Sequence, residues 1–231
     1  AIRDIVRAEL EGFCEFETDV MGNLHCVRKA GSGNAKKLML AAHMDEIGFM
    51  VKYIDDKGFL RLNTLGGWDP RHMASQRVYV HTRTGLIPGV LMPGTKPKHM
   101  LSPEEASRAA KVEDYFVDIG MSGEDAKKAV RLGDPVTMNR TLQRMGKLLT
   151  CKAMDDRVAV YVMIEALKAA KSASVEVHAI ATVQEEIGLR GAQTSAFGID
   201  PQVGIAVDVT HATDCPTVDK KQEGDVRLGG G

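Results

Sequence analysis

The chain has 231 residues, of which 44% are hydrophobic and 26% are charged. This balance is typical of a folded globular protein and argues against disorder, and the length suits one substantial α/β domain with a smaller one. The 30 Lys and Arg residues are matched by 31 Asp and Glu residues, so no basic excess exists to neutralise phosphates, and we expect no nucleic-acid partner.

Two further features of the composition concern the surroundings of the chain. The longest apolar run, residues 158–164, is far shorter than the ~18–20 residues that a membrane span needs, so we expect no membrane partner. The cysteines, Cys14, Cys26, Cys151 and Cys215, are scattered without a Cys-x-x-Cys pair. Scattered cysteines favour reduced thiols in a cytoplasmic protein.

The first part of the chain is predicted to form a helix and then a buried strand. Apolar residues at positions 2, 5, 6 and 10 recur at helical spacing, which predicts a helix with one buried stripe over the first dozen residues. After a predicted turn at residues 31–34, residues 38–42 are apolar without alternation. Such a run is typical of a strand that is buried on both faces of a helix-covered sheet.

The middle of the chain has a different pattern. Short β-rich segments are separated by Gly and Pro, and two short helices are predicted to begin at Ser102 and Ser122. The predicted strands include residues 58–65, 77–81 and 86–91. We therefore expect residues 49–139 to form a small β-rich domain inserted into an α/β domain, which consists of residues 1–48 and 140–231.

Strands and helices alternate between about residues 148 and 209. The predicted helices are residues 156–171 and 189–197, and the predicted strands are one near residue 148 and those at residues 175–183 and 203–209. This alternation predicts a parallel or mostly parallel sheet. Because both strands are apolar, we expect them to be buried on both faces, like the strand at residues 38–42.

Residue types that bind metals follow the apolar run at residues 38–42, and others stand at the start of the predicted long helix. His43 and Asp45 point to the same face of an extended chain, where a carboxylate can fix the tautomer of an imidazole that binds zinc or cobalt. Asp155 and Asp156 stand at the start of the long helix. Helix capping is an equally good interpretation of that pair, since Asp is favoured at helix N-termini.

Two more acidic positions lie at or near the ends of predicted strands. Glu185 and Glu186 follow residue 183, and a solvated turn is the alternative interpretation. Open α/β sheets bind ligands at the carboxyl ends of such strands, where one glutamate can bind a metal while the other handles protons. Asp208 lies inside an apolar segment, so its burial needs a positive partner, either a metal or an arginine. Together these positions predict a metal-dependent site at one end of the sheet.

The segments that carry these residues resemble the co-catalytic metalloaminopeptidases of peptidase family forty-two. This is the tetrahedral (TET) aminopeptidase group, whose members also carry the names glucanase and deblocking aminopeptidase. The matching segments are HMDEIG at residues 43–48, LGGWDP at 65–70, VDIG at 117–120, KAMDDR at 152–157, VQEEIGLRGA at 183–192 and VDVTH at 207–211. The resemblance covers nearly the whole chain, and its motifs stand in the family's order.

The resemblance implies a fold and a reaction. The fold is a three-layer α/β/α sandwich with a mostly parallel central sheet, as in zinc exopeptidases, and the inserted domain becomes a small barrel-like lid and dimerisation domain. The reaction is the hydrolysis of N-terminal residues from peptides through a metal-activated water. The implied assembly is a homo-oligomer of dimer units, up to a dodecamer.

The resemblance also implies a role for each site residue. Two divalent cations, zinc or cobalt or else manganese, would be bound. His43 and Asp208 would hold one metal, Asp155 would bridge the pair, Glu186 would hold the second metal, Glu185 would be the general base, and Asp45 would orient His43. A cis peptide bond between Asp155 and Asp156 is implied as well.

One departure from the family's pattern concerns the ends of the chain. The family has a further histidine ligand beyond the segment that matches residues 228–231, and none of the 7 histidines stands in the matching place. His211 is at most a neighbour of the site. The family's first residues also have no counterpart here, so we expect the chain to be truncated at both ends relative to the family.

Two alternatives to an aminopeptidase stay open. In the first, the metal hydrolase acts on another substrate, such as an acylated amine (a deacylase) or a β-glucan (a glucanase), although glycosidases normally use two carboxylates and no metal. In the second, the chain is a non-catalytic assembly subunit that lacks the last metal ligand.

Overall fold

The computed structural model describes residues 2–31, 35–170 and 174–230, which form two compact units. The first, here called the sheet unit, consists of Ala1–Met44, Asp155–Val183 and Gly191–Gly231. The second, here called the barrel unit, consists of Asp45–Met154 and Gln184–Arg190. The domain boundaries expected after residues 48 and 139 stay a prediction.

The described residues form six α-helices and thirteen strands, whose order along the chain is close to the predicted order. The helices are α1 (Ile2–Glu9), α2 (Pro103–Ser107), α3 (Gly123–Ala129), α4 (Met154–Ala169), α5 (Arg190–Ile199) and α6 (Lys220–Glu223). The strands are β1 (Glu15–Thr18), β2 (Leu24–Arg28), β3 (Lys37–His43), β4 (Gly48–Ile54), β5 (Leu60–Leu65), β6 (Gln76–Thr82), β7 (Gly85–Pro93), β8 (Tyr115–Asp118), β9 (Pro135–Met138), β10 (Gln143–Met145), β11 (Leu148–Thr150), β12 (Glu176–Thr182) and β13 (Val203–Ala206). Within the described ranges, no helix has the length and hydropathy of a membrane span.

The sheet unit is built on a five-stranded sheet with the strand order β1-β2-β12-β3-β13. β12 and β13 run parallel to β3, whereas β2 runs antiparallel to both β12 and β1. Four of the five strands therefore share one direction. Thr182 lies beside His43 in the register of β12 and β3, so the carboxyl ends of these two strands meet.

Helices pack on this sheet through side chains at helical spacing. α1 contributes the buried Val6 to a cluster that also contains Ala179 of β12. The residues of α4 in the same cluster are Ala159, Val160, Met163, Ile164 and Leu167. The next residue of β12, Ile180, points the other way, as alternation in a strand requires, and packs with Met39 and with Ile199 of α5.

The barrel unit contains a closed barrel with the strand order β4-β5-β8-β7-β6-β9. β9 pairs with both β4 and β6, which closes the ring and confirms the barrel-like form implied by the family resemblance. Its core is apolar, and the fully buried side chains include Phe49, Leu60, Val78, Leu91, Val117 and Val136. The Phe49 ring stacks on Trp68 with a centroid distance of 4.3 Å.

The two helix starts that the sequence predicts, at Ser102 and Ser122, are present in the barrel unit. The Ser102 hydroxyl accepts a hydrogen bond from the Glu105 N–H at 3.2 Å, and the Glu105 carboxylate accepts one from the Ser102 N–H at 2.9 Å. Pro103 takes the first helical position of α2. Ser122 caps α3 by accepting from the Asp125 N–H at 3.2 Å. Both predicted helix starts are confirmed because capping depends on residues three apart.

Two predicted features are wrong. The last strand was expected to be buried on both faces, but β13 is the edge strand of the sheet, and Ile205 is 46% exposed. An apolar run marks a strand without revealing whether it has neighbours on both sides. The strand expected near residue 148 is β11, which pairs with β10 in a separate two-stranded hairpin and not in the sheet. Two further predictions reach beyond the described residues. The predicted turn at 31–34 lies mostly outside them, and so does the last residue of the helix predicted over 156–171.

Candidate metal centre

Three side chains of the sheet unit converge where strands and a helix end. His43 closes β3, Asp156 stands near the start of α4, and Asp208 follows β13, which lies beside β3 in the sheet. Each offers one ligand atom, and these three atoms all lie within 4.8 Å of one another. His43 and Asp156 are buried, whereas Asp208 is exposed. The group of three side chains is therefore buried at His43 and Asp156 and accessible to solvent at Asp208. The predicted place of Asp208 inside a buried strand is wrong, because β13 ends at Ala206 and Asp208 lies beyond it.

Asp155 and Asp156 hold His43 from two directions. The peptide bond between them is cis, as the family resemblance implies, and neither residue has helical dihedrals. Asp156 Oδ2 accepts a hydrogen bond from the backbone N–H of His43 at 3.2 Å. Asp155 Oδ1 lies 3.0 Å from His43 Nε2. Two ligands of one tetrahedral cation stand about 3.4 Å apart when each metal bond is ~2.1 Å, so the spacing of 3.0 Å is a hydrogen-bond distance that is a few tenths of an ångström shorter than shared ligation requires.

The Asp156 carboxylate combines the two roles that the sequence left open. It accepts a hydrogen bond from the backbone of Ala159, which is the capping role. Its other oxygen, Oδ1, is buried and has no hydrogen-bond partner among the described residues. Burial and the nearby Asp208 carboxylate raise the pKa of Asp156 to about 6, against the hydrogen bond from His43.

These features test whether the residues present fit a divalent cation. A buried carboxylate oxygen without a partner is costly, and a second carboxylate nearby adds repulsion. A cation would relieve both, because it would supply a partner and a positive charge. One imidazole and several carboxylates form a nitrogen and oxygen donor set that suits zinc, cobalt or manganese. The residues therefore fit such a cation.

A second group of predicted site residues belongs to the barrel unit. The Asp45 carboxylate accepts hydrogen bonds from the backbone N–H groups of Glu185 and Glu186, both at 3.2 Å. The turn that carries the two glutamates also bonds to itself, since the N–H groups of Gly188 and Leu189 donate to the Glu185 carbonyl at 2.9 Å. Asp45 thus fixes the backbone of both glutamates.

Lys152 and Glu46 form an ion pair beside these segments. The Lys152 ammonium lies 2.8 Å from Glu46 Oε2, and both side chains are mostly buried. Glu46 follows Asp45 in the chain, and Lys152 lies three residues before Asp155. The pair therefore ties the segment that follows β3 to the segment that leads into α4.

The predicted site residues consequently fall into two groups. His43, Asp155 and Asp208 belong to the sheet unit, together with Asp156, for which the sequence equally predicts helix capping. Asp45, Glu185 and Glu186 meet in the barrel unit. The orienting role of Asp45 toward His43, the general-base role of Glu185 and the ligand role of Glu186 stay predictions. The signal for Asp156 was its place in an Asp-Asp pair at the start of a helix.

Comparisons with known proteins agree with the motifs. The family model described as M42 glutamyl aminopeptidase matches residues 22–231. Lysyl aminopeptidase of Pyrococcus furiosus is 37% identical over 217 residues, which cover 91% of this chain and 61% of that protein. The chain spans 61–66% of the length of the first curated relatives that it matches.

Solved structures give the same result for the fold. Aminopeptidase APDkam598 of the archaeon Desulfurococcus kamchatkensis is 42% identical with a TM-score of 0.89, over 100% of this chain and 63% of that one. The TET1 peptidase of Pyrococcus horikoshii, which can assemble into a tetrahedron or a large octahedral shell, is 33% identical with a TM-score of 0.79, over 90% of this chain and 62% of that one. The mixed α/β fold is thus the fold of these peptidases.

Proposed function

The chain belongs to the M42 glutamyl aminopeptidase family, and we propose that it acts as a metal-dependent aminopeptidase, which removes N-terminal residues from peptides. One observation carries the proposal: a buried Asp156 oxygen, which has no hydrogen-bond partner within the described ranges, lies in a cluster with His43 and Asp208 whose ligand atoms are within 4.8 Å of one another. The substrate class is supported by relatives at 37% and 42% identity that are named aminopeptidases.

We propose that two divalent cations are bound, zinc or cobalt or else manganese. His43 and Asp208 would hold the first, Asp155 would bridge the two, and Glu186 would hold the second. The 3.0 Å distance between His43 and Asp155 supports the first site. The ligand role of Glu186 is supported by the strand register, because Thr182 lies beside His43 and Glu186 follows four residues later.

Cations of this kind lower the pKa of a bound water and stabilise the negative charge that develops on the carbonyl oxygen. Glu185 accepts the proton from the attacking water and transfers it to the leaving amine. Asp45 orients the His43 ring, and its hydrogen bonds to the two glutamate N–H groups hold the general base in place. Asp156 anchors the His43 backbone through Oδ2, and its Oδ1, which has no hydrogen-bond partner among the described residues, would face the first cation.

Further features of the whole protein belong to the same proposal. A three-layer α/β/α arrangement of the sheet unit is supported by the two apolar clusters on opposite faces of β12. A homo-oligomer of dimer units, up to a dodecamer, with the barrel unit as dimerisation element and lid, is supported by the assembly of the Pyrococcus horikoshii relative. A cytoplasmic location is supported by the free thiols of Cys14, Cys26, Cys151 and Cys215.

A glucan substrate is less well supported than a peptide. Glycosidases place two carboxylates on either side of the glycosidic bond and need no imidazole or metal. The cluster here contains a buried imidazole, His43, among its ligand atoms. This chemistry favours a peptide over a glucan.

The proposal is tested with the Glu185→Gln variant of the whole protein. We expect this variant to retain bound zinc, measured by atomic absorption, and to lose the release of p-nitroaniline from amino-acid p-nitroanilides. Glu113→Gln, an exposed glutamate of the barrel unit, is the matched control and should keep full activity. Unchanged activity in Glu185→Gln would contradict the assigned general base, and a wild type without bound metal would contradict the proposed function.

A further inference from the structure

The segment of residues 184–190 leaves the sheet unit after Val183 and re-enters it at Gly191. These two residues are joined by a hydrogen bond from the Gly191 N–H to the Val183 carbonyl at 3.0 Å. The segment is therefore a closed excursion of the chain, and it carries Glu185 and Glu186. Whatever fixes its two ends also restrains the backbone from which these two carboxylates project.

The side chain of Asn23 binds both ends of this excursion. Its Oδ1 accepts a hydrogen bond from the Val183 N–H at 2.9 Å, and its Nδ2 donates to the Gly191 carbonyl at 3.2 Å. Asn23 is fully buried and lies 160 residues from Val183 in the chain. One amide group thus bridges the end of β12 to the start of α5.

A second set of hydrogen bonds fixes the orientation of this amide. Asn23 Nδ2 also donates to Asp19 Oδ2 at 2.7 Å, and the Asn23 N–H donates to Asp19 Oδ1 at 2.9 Å. Burial opposes the ionisation of Asp19, but hydrogen bonds from Asn23 and His25 outweigh it and lower the pKa of the Asp19 carboxyl. The ionised Asp19 can only accept, so the amide nitrogen must face it and the amide oxygen must face Val183.

The fit leaves no room for a side chain at residue 191. A Cβ on Gly191 would lie 2.3 Å from Asn23 Oδ1 and 2.3 Å from the Val183 carbonyl oxygen. Glycine at this position therefore permits the close approach on which the bridge depends. This explains one glycine of the segment VQEEIGLRGA in physical terms.

The excursion itself needs such anchoring. Gln184 and Leu189 have φ values of 59° and 57°, in the left-handed region that non-glycine residues rarely adopt. Backbone in that region persists where surrounding contacts hold it. Gln184 directly follows Val183, and Leu189 lies two residues before Gly191, so both left-handed residues lie next to or near the ends that Asn23 binds.

From these contacts we infer that Asn23 is a positioning residue, which clamps both ends of the excursion and thereby holds Glu185 and Glu186 for their roles. The clamp itself is a structural claim, whereas its consequence for catalysis rests on the proposed function.

The clamp is tested by hydrogen–deuterium exchange on the Asn23→Asp variant of the full chain. A second carboxylate at residue 23 would face the acceptors Asp19 Oδ2 and the Gly191 carbonyl, so the bridge would open. We expect the Val183 and Gly191 N–H groups to exchange about tenfold faster or more. The Met44 N–H, which donates to the Thr182 carbonyl at 2.8 Å, should exchange at the wild-type rate.

Two further variants separate clamping from general destabilisation. Leu24→Ala removes a fully buried apolar side chain next to Asn23 and should speed exchange at Met44 and Val183 alike. Asp19→Asn combined with Asn23→Asp restores one donor–acceptor pair between residues 19 and 23, so it should recover part of the protection. Wild-type exchange at Val183 in Asn23→Asp, or a uniform increase like that in Leu24→Ala, would overturn the clamp.

The catalytic consequence is measured separately on the whole protein. For Asn23→Asp we expect kcat to fall about 10–100-fold with little change in KM, because misplaced groups lose transition-state interactions. Faster exchange at Val183 with an unchanged kcat would overturn the positioning role. A wild type without bound zinc or peptidase activity would instead overturn the proposed function, and the exchange experiment would still decide the clamp.

Discussion

The sheet unit and the barrel unit bury different kinds of side chain. Within the described residues, the buried polar side chains all belong to the sheet unit: Asn23, His43, Asp156, His178, Thr182, Ser195 and Thr213. The barrel core is apolar apart from the Tyr115 hydroxyl, which donates to the Pro70 carbonyl at 2.7 Å. Apart from the mostly buried pair of Lys152 and Glu46, charged groups of the barrel unit form pairs at its surface, such as Lys128 with Glu124.

This difference indicates which unit has the less favourable free energy of folding from its buried groups. Buried apolar side chains stabilise a unit directly, whereas buried polar groups cost free energy unless they are partnered. Asp156 Oδ1 lacks a partner among the described residues. The sheet unit therefore contains the group that a bound ion would stabilise, and the barrel unit has the more ordinary core.

The largest expected effect is in the barrel core. Leu91→Ala removes a fully buried side chain of β7 and should lower the free energy of unfolding by about 3 kcal/mol, within the usual range of ~2–5 kcal/mol. Urea unfolding measures the change. Leu86→Ala on the same strand is the control, because Leu86 is 56% exposed and should cost less than about 0.5 kcal/mol. Equal losses from both variants would contradict an apolar barrel core.

The next effect is specific to the sheet unit. Zinc at about 100 times its Kd should raise the free energy of unfolding by about 2.7 kcal/mol, and EDTA should remove that gain. Asp156→Asn should bind zinc about 10–100-fold more weakly, so the gain at the same zinc concentration should fall to about 0.4–1.4 kcal/mol.

Asp200→Asn is the control for this measurement, because Asp200 is an exposed residue of the sheet unit with a positive φ that asparagine tolerates. It should keep the full stabilisation by zinc. A gain that is the same in Asp156→Asn as in the wild type would show that zinc binds elsewhere.

Replacing either of two glycines of α5 with alanine should change the free energy of unfolding in opposite directions. Gly191→Ala forces a Cβ within 2.3 Å of Asn23 Oδ1 and of the Val183 carbonyl, so we expect a loss of about 1–3 kcal/mol. Gly198→Ala meets nothing within 4 Å and should gain about 0.5–1 kcal/mol from helix propensity. Thermal unfolding of both variants checks the pair, and a stabilising Gly191→Ala would contradict the tight fit around Asn23.

The smallest effect is expected at the barrel surface. Lys128→Gln removes the exposed ion pair with Glu124, whose atoms lie 2.6 Å apart. Exposed pairs contribute little because water and salt screen them. Urea unfolding at low and at physiological salt should give the wild-type stability, and a clear loss at low salt would show that surface charge matters to this unit.

Local features of the fold were predictable from the sequence. The capping box at Ser102 and Glu105 depends on residues three apart, and the apolar stripe of α4 depends on helical periodicity, so both can be recognised without tertiary contacts. The edge position of β13 and the separate pairing of β11 could not be recognised, because strand neighbours are chosen by contacts that a single strand's composition does not encode.

The same distinction applies to the site. His43, Asp155 and Asp208 stand in segments whose chemistry is visible in the sequence. Asn23 gives no such signal, because its role appears only where residues 160 positions apart meet. The Asp156 oxygen that lacks a hydrogen-bond partner in the described part of the chain is likewise a consequence of burial and not of the Asp-Asp motif.

The central claim is that His43, Asp208 and the Asp155–Asp156 pair hold a divalent cation. Anomalous diffraction at the zinc edge, from crystals of the whole protein grown with zinc, tests it most directly. We expect a peak about 2.0–2.2 Å from a His43 ring nitrogen and from carboxylate oxygens of Asp208 and of the Asp155–Asp156 pair. Anomalous peaks at other residues, with none at His43, would contradict the claim.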